Sequence, residues 1–189
     1  MRRIKNSLKI TAILCVFFLL ISCDNTVGDS EKSGVVLIVT RILGTDAEGN
    51  DADYLASDVI TDGIIYTNPV VVTLEVKLKK PEPILPGESY KTSVMIDRYT
   101  VTYTSPEGDP VPLAFEGRLA AVCEVDATVD VEIVAVRGEA KAMAPLVGLI
   151  PGGVIWAVAE IRFFGHDLDG NGVESTGYLT VYFSNWADP

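Results

Sequence analysis

Val70-Val71-Val72-Thr73-Leu74-Glu75-Val76-Lys77-Leu78-Lys79 is the stretch whose spacing sets the fold class. Val70, Val72, Leu74, Val76 and Leu78 fall on one side of an extended backbone. Val71, Thr73, Glu75, Lys77 and Lys79 fall on the other, a period of two that sends one face into a core and one into water. No helical stripe fits this spacing, so the segment reads as a strand.

Working outward, the same period recurs. Val35 to Leu43 is a β-branched run. Leu119, Ala121, Cys123 and Val125 alternate with Arg118, Ala120, Val122 and Glu124, which turns Cys123 inward. Val129, Val131 and Ile133 mark an inward face within Thr128 to Arg137. Ile155, Ala157, Ala159, Ile161 and Phe163 mark another, as do Gly177, Leu179, Val181 and Phe183. Between Ser93 and Thr104 the apolar positions shift from Val94 and Ile96 to Tyr99, Val101 and Tyr103, and that slip at Asp97-Arg98 predicts a β-bulge. No segment holds a helical period over three turns. Pro and Gly punctuate the chain at Lys80-Pro81-Glu82-Pro83, Pro86-Gly87, Ser105-Pro106-Glu107-Gly108 and Pro151-Gly152-Gly153. The expectation is an all-β domain, an immunoglobulin-like antiparallel β-sandwich of about seven strands with long loops, with a jelly roll or another two-sheet fold as the alternative. The immunoglobulin resemblance is architectural, because the paired cysteines of antibody domains are absent.

The front of the chain has a different character. Arg2, Arg3, Lys5 and Lys9 form a basic head, Ile10 to Ile21 is almost wholly apolar, and Leu20-Ile21-Ser22-Cys23 follows. An apolar run this short falls below the roughly 20 residues a membrane-spanning helix needs, so it reads as a signal peptide. Leu20-Ile21-Ser22-Cys23 resembles the lipobox of bacterial lipoproteins. That resemblance implies that Cys23 receives a diacylglycerol on its thiol and becomes the first residue after cleavage. The domain organisation expected is therefore a cleaved signal peptide at 1–22, a lipidated Cys and flexible polar tether at 23–33, and the β-sandwich at 34–189. A single acyl chain anchors reversibly, whereas the two or three of a lipoprotein Cys hold almost permanently. Asp24 resembles a sorting signal that retains some Gram-negative lipoproteins at the inner membrane, a rule that varies between bacterial groups, so both membranes stay open.

The 189 residues carry 15 Lys plus Arg against 26 Asp plus Glu, a net charge of −11. Removing residues 1–22 takes four basic and no acidic side chains, which leaves 11 against 26 and a charge near −15. Such a surface repels nucleic acid and anionic headgroups; it serves solubility, or attracts cations. With Cys15 lost with the signal and Cys23 acylated, Cys123 is the remaining thiol, so the exported domain must be stable through its core alone.

Gly44-Thr45-Asp46-Ala47-Glu48-Gly49-Asn50 and Gly165-His166-Asp167-Leu168-Asp169-Gly170-Asn171 repeat one pattern after two strands. Asp167, Asp169 and Asn171, followed by Gly172, match the opening of a calcium loop, where oxygens at positions 1, 3 and 5 converge on a hard cation. The match ends there: Tyr178 stands where a bidentate Glu is wanted, and a strand follows instead of a helix. Asp, Gly and Asn are equally what a tight hairpin loop requires.

Catalytic patterns are scarce. His166 is the single imidazole, at a predicted turn, and the chain has no Gly-x-Ser-x-Gly, Ser-x-x-Lys or phosphate-binding Gly-rich string. One His and one inward Cys do not make a zinc site. Binding has more to offer: Tyr99 with Tyr103, or Trp156 with Tyr178 and Tyr182, can line up on a sheet to stack on a sugar, or serve the core. The apolar loop Met143 to Pro151 is expected to cap one end of the sandwich, or else to meet a protein. The stretch Ile161 to Asn171, running on through Gly177-Tyr178-Leu179-Thr180-Val181, together with Ser57-Asp58-Val59 and Tyr99 to Tyr103, resembles uncharacterised bacterial lipoproteins with a β-sandwich domain. The resemblance brings no activity or site with it. The expected function is a non-enzymatic structural or binding module on the exported side of a bacterial cell envelope. The bilayer is its partner through acylated Cys23, with an envelope protein or glycan as a further partner and no nucleic acid. The covalent lipid is the sole group expected besides weak calcium, and a carbohydrate-binding or calcium-dependent adhesive module is the alternative.

Overall fold

The structure is a computed structural model and describes residues 32–80 and 93–186. The expected signal peptide, Cys23, the expected tether up to residue 31 and the Pro- and Gly-rich stretch 81–87 lie outside the described residues. The elements are β1 (Val35–Thr45), β2 (Asp51–Ala52), β3 (Tyr54–Asp58), β4 (Asn68–Leu78), β5 (Ser93–Thr104), β6 (Phe115–Glu124), β7 (Thr128–Val136), α1 (Gly138–Lys141), a 3-10 turn (Leu146–Leu149), β8 (Val154–Asp167) and β9 (Gly172–Ser184). They build two sheets, ordered β2-β1-β4-β7 and β3-β9-β8-β5-β6, so the fold is all-β.

All seven periodic segments are strands. Two more, β2 and β3, correct the expected number, and β3 corrects the antiparallel expectation because it runs parallel to β9, from Tyr54 opposite Thr180 to Asp58 opposite Ser184. The reason lies in burial. Leu55, Ala56 and Ser57 are all buried in succession, so β3 carries no alternation for a period-two pattern to find. The chain crosses from one sheet to the other at Asp53 and adds β3 beyond β9.

The inner faces share one core. Val70, Val72, Leu74 and Val76 of β4 meet Val94, Ile96 and Val101 of β5, Ala157, Ile161 and Phe163 of β8, and Leu179, Val181 and Phe183 of β9. Full burial of a side chain such as Leu74 or Phe163 contributes about 1.5–3 kcal/mol, which is what holds a domain with no disulfide among its described residues. The slip in β5 is real: register shifts between Ile96 and Arg98 against both β6 and β8, and Asp97 is the extra residue that lets Val94, Ile96, Tyr99, Val101 and Tyr103 all point inward.

Two tyrosines of β5 tie the sheets together. The Tyr103 hydroxyl donates to the Ala135 carbonyl, and the Val134 N–H donates to the Tyr99 hydroxyl at 3.1 Å. β7 is an edge strand, and these bonds occupy backbone groups that an edge would otherwise leave unpaired. Burial raises the Tyr103 phenol well above its ordinary pKa, so it remains a donor.

The topology defines two poles. Ser33, the end of β4, the start of β5, the β6–β7 turn and the β8–β9 loop lie at one, the tether pole, where the expected tether would join the domain. The β3–β4 loop, residues 104–115, α1, the 3-10 turn and Trp186 lie at the other.

Candidate functional site

Of the candidate residues, Cys23 lies outside the described residues. Asp167, Asp169 and Asn171 are together in the β8–β9 loop, held by hydrogen bonds. Asp167 Oδ1 accepts the backbone N–H groups of Asp169 at 3.0 Å and Asn171 at 2.9 Å. Its two oxygens also take the Asn171 side-chain amide at 3.2 and 3.1 Å, and Oδ2 accepts the Ser33 hydroxyl at 2.8 Å. Burial alone would raise the Asp167 pKa, but the donors from Ser33, Asn171 and Asp169 outweigh it and hold the carboxyl below its usual range. The loop is a hydrogen-bonded turn in which Asn171 directs its NH₂ toward Asp167, and Ser33 ties it to the start of the domain. Among the described residues no three His, Cys, Asp or Glu side chains converge as a metal set.

His166 sits in the last turn of pairing of β8, opposite Met95 and Gly172, rather than in the loop. Its Nδ1 is 3.6 Å from Asp97 Oδ2, and both side chains are half exposed. Cys123 is buried, its thiol raised by that burial, and its Sγ donates to the Ala127 carbonyl at 3.3 Å. A thiol so placed packs and does not attack.

The aromatics divide. Tyr99 and Tyr103 belong to the core, as their bonds across it require. Trp156, Tyr178 and Tyr182 face outward on the five-stranded sheet, with Trp156 opposite Tyr182 and Tyr182 edge-on to Tyr54 at 5.7 Å. Further along that face Phe164 is covered by the guanidinium of Arg98 at 4.3 Å, with Arg162 at 5.6 Å.

The apolar loop caps the far pole as expected: Leu146 and Leu149 enter the core. Met143, Val147 and Ile150 stay exposed. Beside them lies a groove of about 400 Å³ lined by Pro112, Leu113, Phe115, Arg137, Glu139 and Met143 among others. Arg137 forms one wall, its guanidinium 4.2 Å from the Phe115 ring and donating to the Glu116 carbonyl, so β7 and β6 are clamped at the groove's base. Leu113 is 83% exposed on its rim. The sequence pattern gave the cap but not the groove, because residues 104–115 carry no period and the side chains meet only through folding.

Lys141 in α1 was also invisible. It is 1% exposed, and its Nζ donates to the Asp58 carbonyl at 2.5 Å. Burial pushes the amine down to about 8 against the opposing pull of the Asp58 charge. The Asp58 carboxylate in turn accepts Thr61 Oγ1 at 2.6 Å and the Trp186 N–H at 3.1 Å, fastening the end of the described chain to β3.

No protein-family model, curated protein or solved structure matches this chain.

Proposed function

We propose that the protein is an exported lipoprotein, anchored at the bacterial cell envelope by acyl chains on Cys23, whose immunoglobulin-like β-sandwich is a non-enzymatic binding or structural module. The observation that carries this reading is the ordered run of basic head, apolar stretch and Leu20-Ile21-Ser22-Cys23, followed by a polar segment that reaches the domain at Ser33. The sheet orders support the immunoglobulin-like assignment: β1, β4 and β7 lie where strands A, B and E lie, β5, β8 and β9 where C, F and G lie, and β6 adds outside β5. The parallel β3 beyond β9 is an addition to that plan.

The far pole supports a binding role. It presents the Leu113–Phe115–Met143 groove together with exposed Ile64, Tyr66, Val147 and Ile150, a concentration of apolar surface facing away from the tether. An envelope protein is the partner this surface suits. A glycan is the second reading, favoured by outward Trp156, Tyr182 and Tyr178. Mass spectrometry of the native protein tests the anchor: a diacylated or triacylated Cys23 as first residue is expected, with Cys23→Ser released from membranes. An uncleaved, unmodified front end overturns the proposal.

A further inference from the structure

Resting on the anchored reading above, we infer that the tether pole is itself a bilayer contact, with Met95, Val122 and Leu168 as the side chains that meet the phospholipid. The length of chain between Cys23 and the domain limits how far this pole can stand from the lipid. From Cys23 to Ser33 are ten residue steps, a reach of at most about 35 Å. Ser33 is buried, and its hydroxyl is bonded to Asp167, the residue next to Leu168. The tether therefore leaves the domain beside this patch, and the lipid holds the pole within a few tens of ångströms of the membrane, far from the groove at the other end.

The patch has the composition such a contact needs. Met95 and Val122 are a cross-strand pair on β5 and β6, and with Leu168, His166 and Gly170 they line a shallow hollow of about 230 Å³. They are 47%, 54% and 67% exposed. Charge distinguishes the two ends. At the tether pole Lys32, Lys79 and Lys80 stand among Asp97, Glu124, Asp126, Asp167 and Asp169, whereas at the far pole Asp62, Glu107, Asp109 and Glu139 have exposed Arg137 among them. The contact thus brings apolar tips and three lysines of a strongly acidic mature chain to the headgroups, where the tips gain by desolvation and the lysines by attraction to anionic lipid.

The test reconstitutes the intact lipidated protein into phosphatidylethanolamine–phosphatidylglycerol vesicles, with an environment-sensitive fluorophore on Leu168→Cys or Val122→Cys and, as reference, on Leu113→Cys. Acylation of Cys23 is verified in each sample by mass spectrometry, so failure of the anchor is read separately from failure of the contact. Expected are a blue shift and quenching by brominated lipid at 168 and 122, none at 113, and loss of both in the Lys79→Glu/Lys80→Glu variant. An acylated sample with no shift at 168 and 122, with equal shifts at all three sites, or with 168-to-168 crosslinks between copies in place of lipid quenching, overturns the inference.

Discussion

The β1–β2 and β8–β9 loops are built to one plan and used differently. In each, an Asp oxygen accepts two backbone N–H groups of its own loop: Asp46 Oδ1 from Glu48 at 3.0 Å and Asn50 at 2.7 Å, Asp167 Oδ1 from Asp169 and Asn171. In each, the Asp N–H donates to the Asn carbonyl at 2.9 Å, and a glycine in the left-handed region, Gly49 at φ 84° or Gly170 at φ 81°, completes the turn. The leading glycine is also shared for a reason: a Cβ at Gly44 would collide with the Tyr54 carbonyl, and one at Gly165 with the Met95 carbonyl. What differs is the surroundings. Asp46 stands in water, whereas Asp167 is buried beneath Ser33, 134 positions earlier in the chain. A local hydrogen-bond pattern therefore sets the shape of both loops, and a long-range bond recruits only one of them to fix the start of the domain.

Removing the carboxylates separates the two most sharply. Asp167→Ala strips a buried loop of its acceptor and leaves the Ser33 hydroxyl without one, a loss of about 2–3 kcal/mol in urea unfolding. Asp46→Ala, in water, is expected to cost distinctly less. Equal losses would mean that burial adds nothing and that the loops are energetically the same. Ser33→Ala comes next, at about 1.5 kcal/mol, the low end for one hydrogen bond to a charged acceptor because the other donors remain. In that background the cost of Asp167→Ala falls toward that of Asp46→Ala, and a double-mutant cycle measures the coupling.

A smaller effect separates wild type from the variants in acid. Both carboxyls are held below the ordinary value of 3.8, Asp46 by Asn50 and Glu48, Asp167 by donors that overcome its burial. The unfolded chain then takes up its protons first as pH falls, so the stabilisation is complete above the ordinary value and is lost as pH drops through the lowered one. The stability gap between wild type and Asp167→Ala is expected to narrow below that ordinary value. A gap that stays constant from neutral pH into acid would show that Asp167 titrates alike in both states.

The same contrast explains what could be read in advance. Period-two segments such as Val70–Leu78 and Ile155–Phe163 announce strands and their inward faces because alternation is a property of the local chain, and the Asp97 bulge announces itself as a break in that alternation. β3 was silent because three consecutive residues are buried. The Tyr103–Ala135 and Ser33–Asp167 bonds, the Arg137–Phe115 groove and the burial of Lys141 join residues far apart in sequence, and nothing in Gly138-Glu139-Ala140-Lys141 marks its lysine as interior. Local chemistry was legible; the pairings made by folding were not.

Calcium is expected to have the smallest effect of all, and the reason lies in the same hydrogen bonds. A calcium ion needs six to eight oxygens converging at about 2.3–2.6 Å. In the β8–β9 loop the Asp167 oxygens already accept from Ser33, Asp169 and Asn171, and the Asn171 side chain presents its nitrogen to the carboxylate. In the β1–β2 loop Asn50 does the same to Asp46. Binding would require each loop to give up the donors that shape it. Thermal midpoints in millimolar calcium and in chelator should therefore coincide for wild type, Asp167→Ala and Asp46→Ala alike. Calcium-dependent stabilisation of wild type that disappears in Asp167→Ala would show that the buried loop opens to a cation, and would restore the adhesive reading for that copy alone.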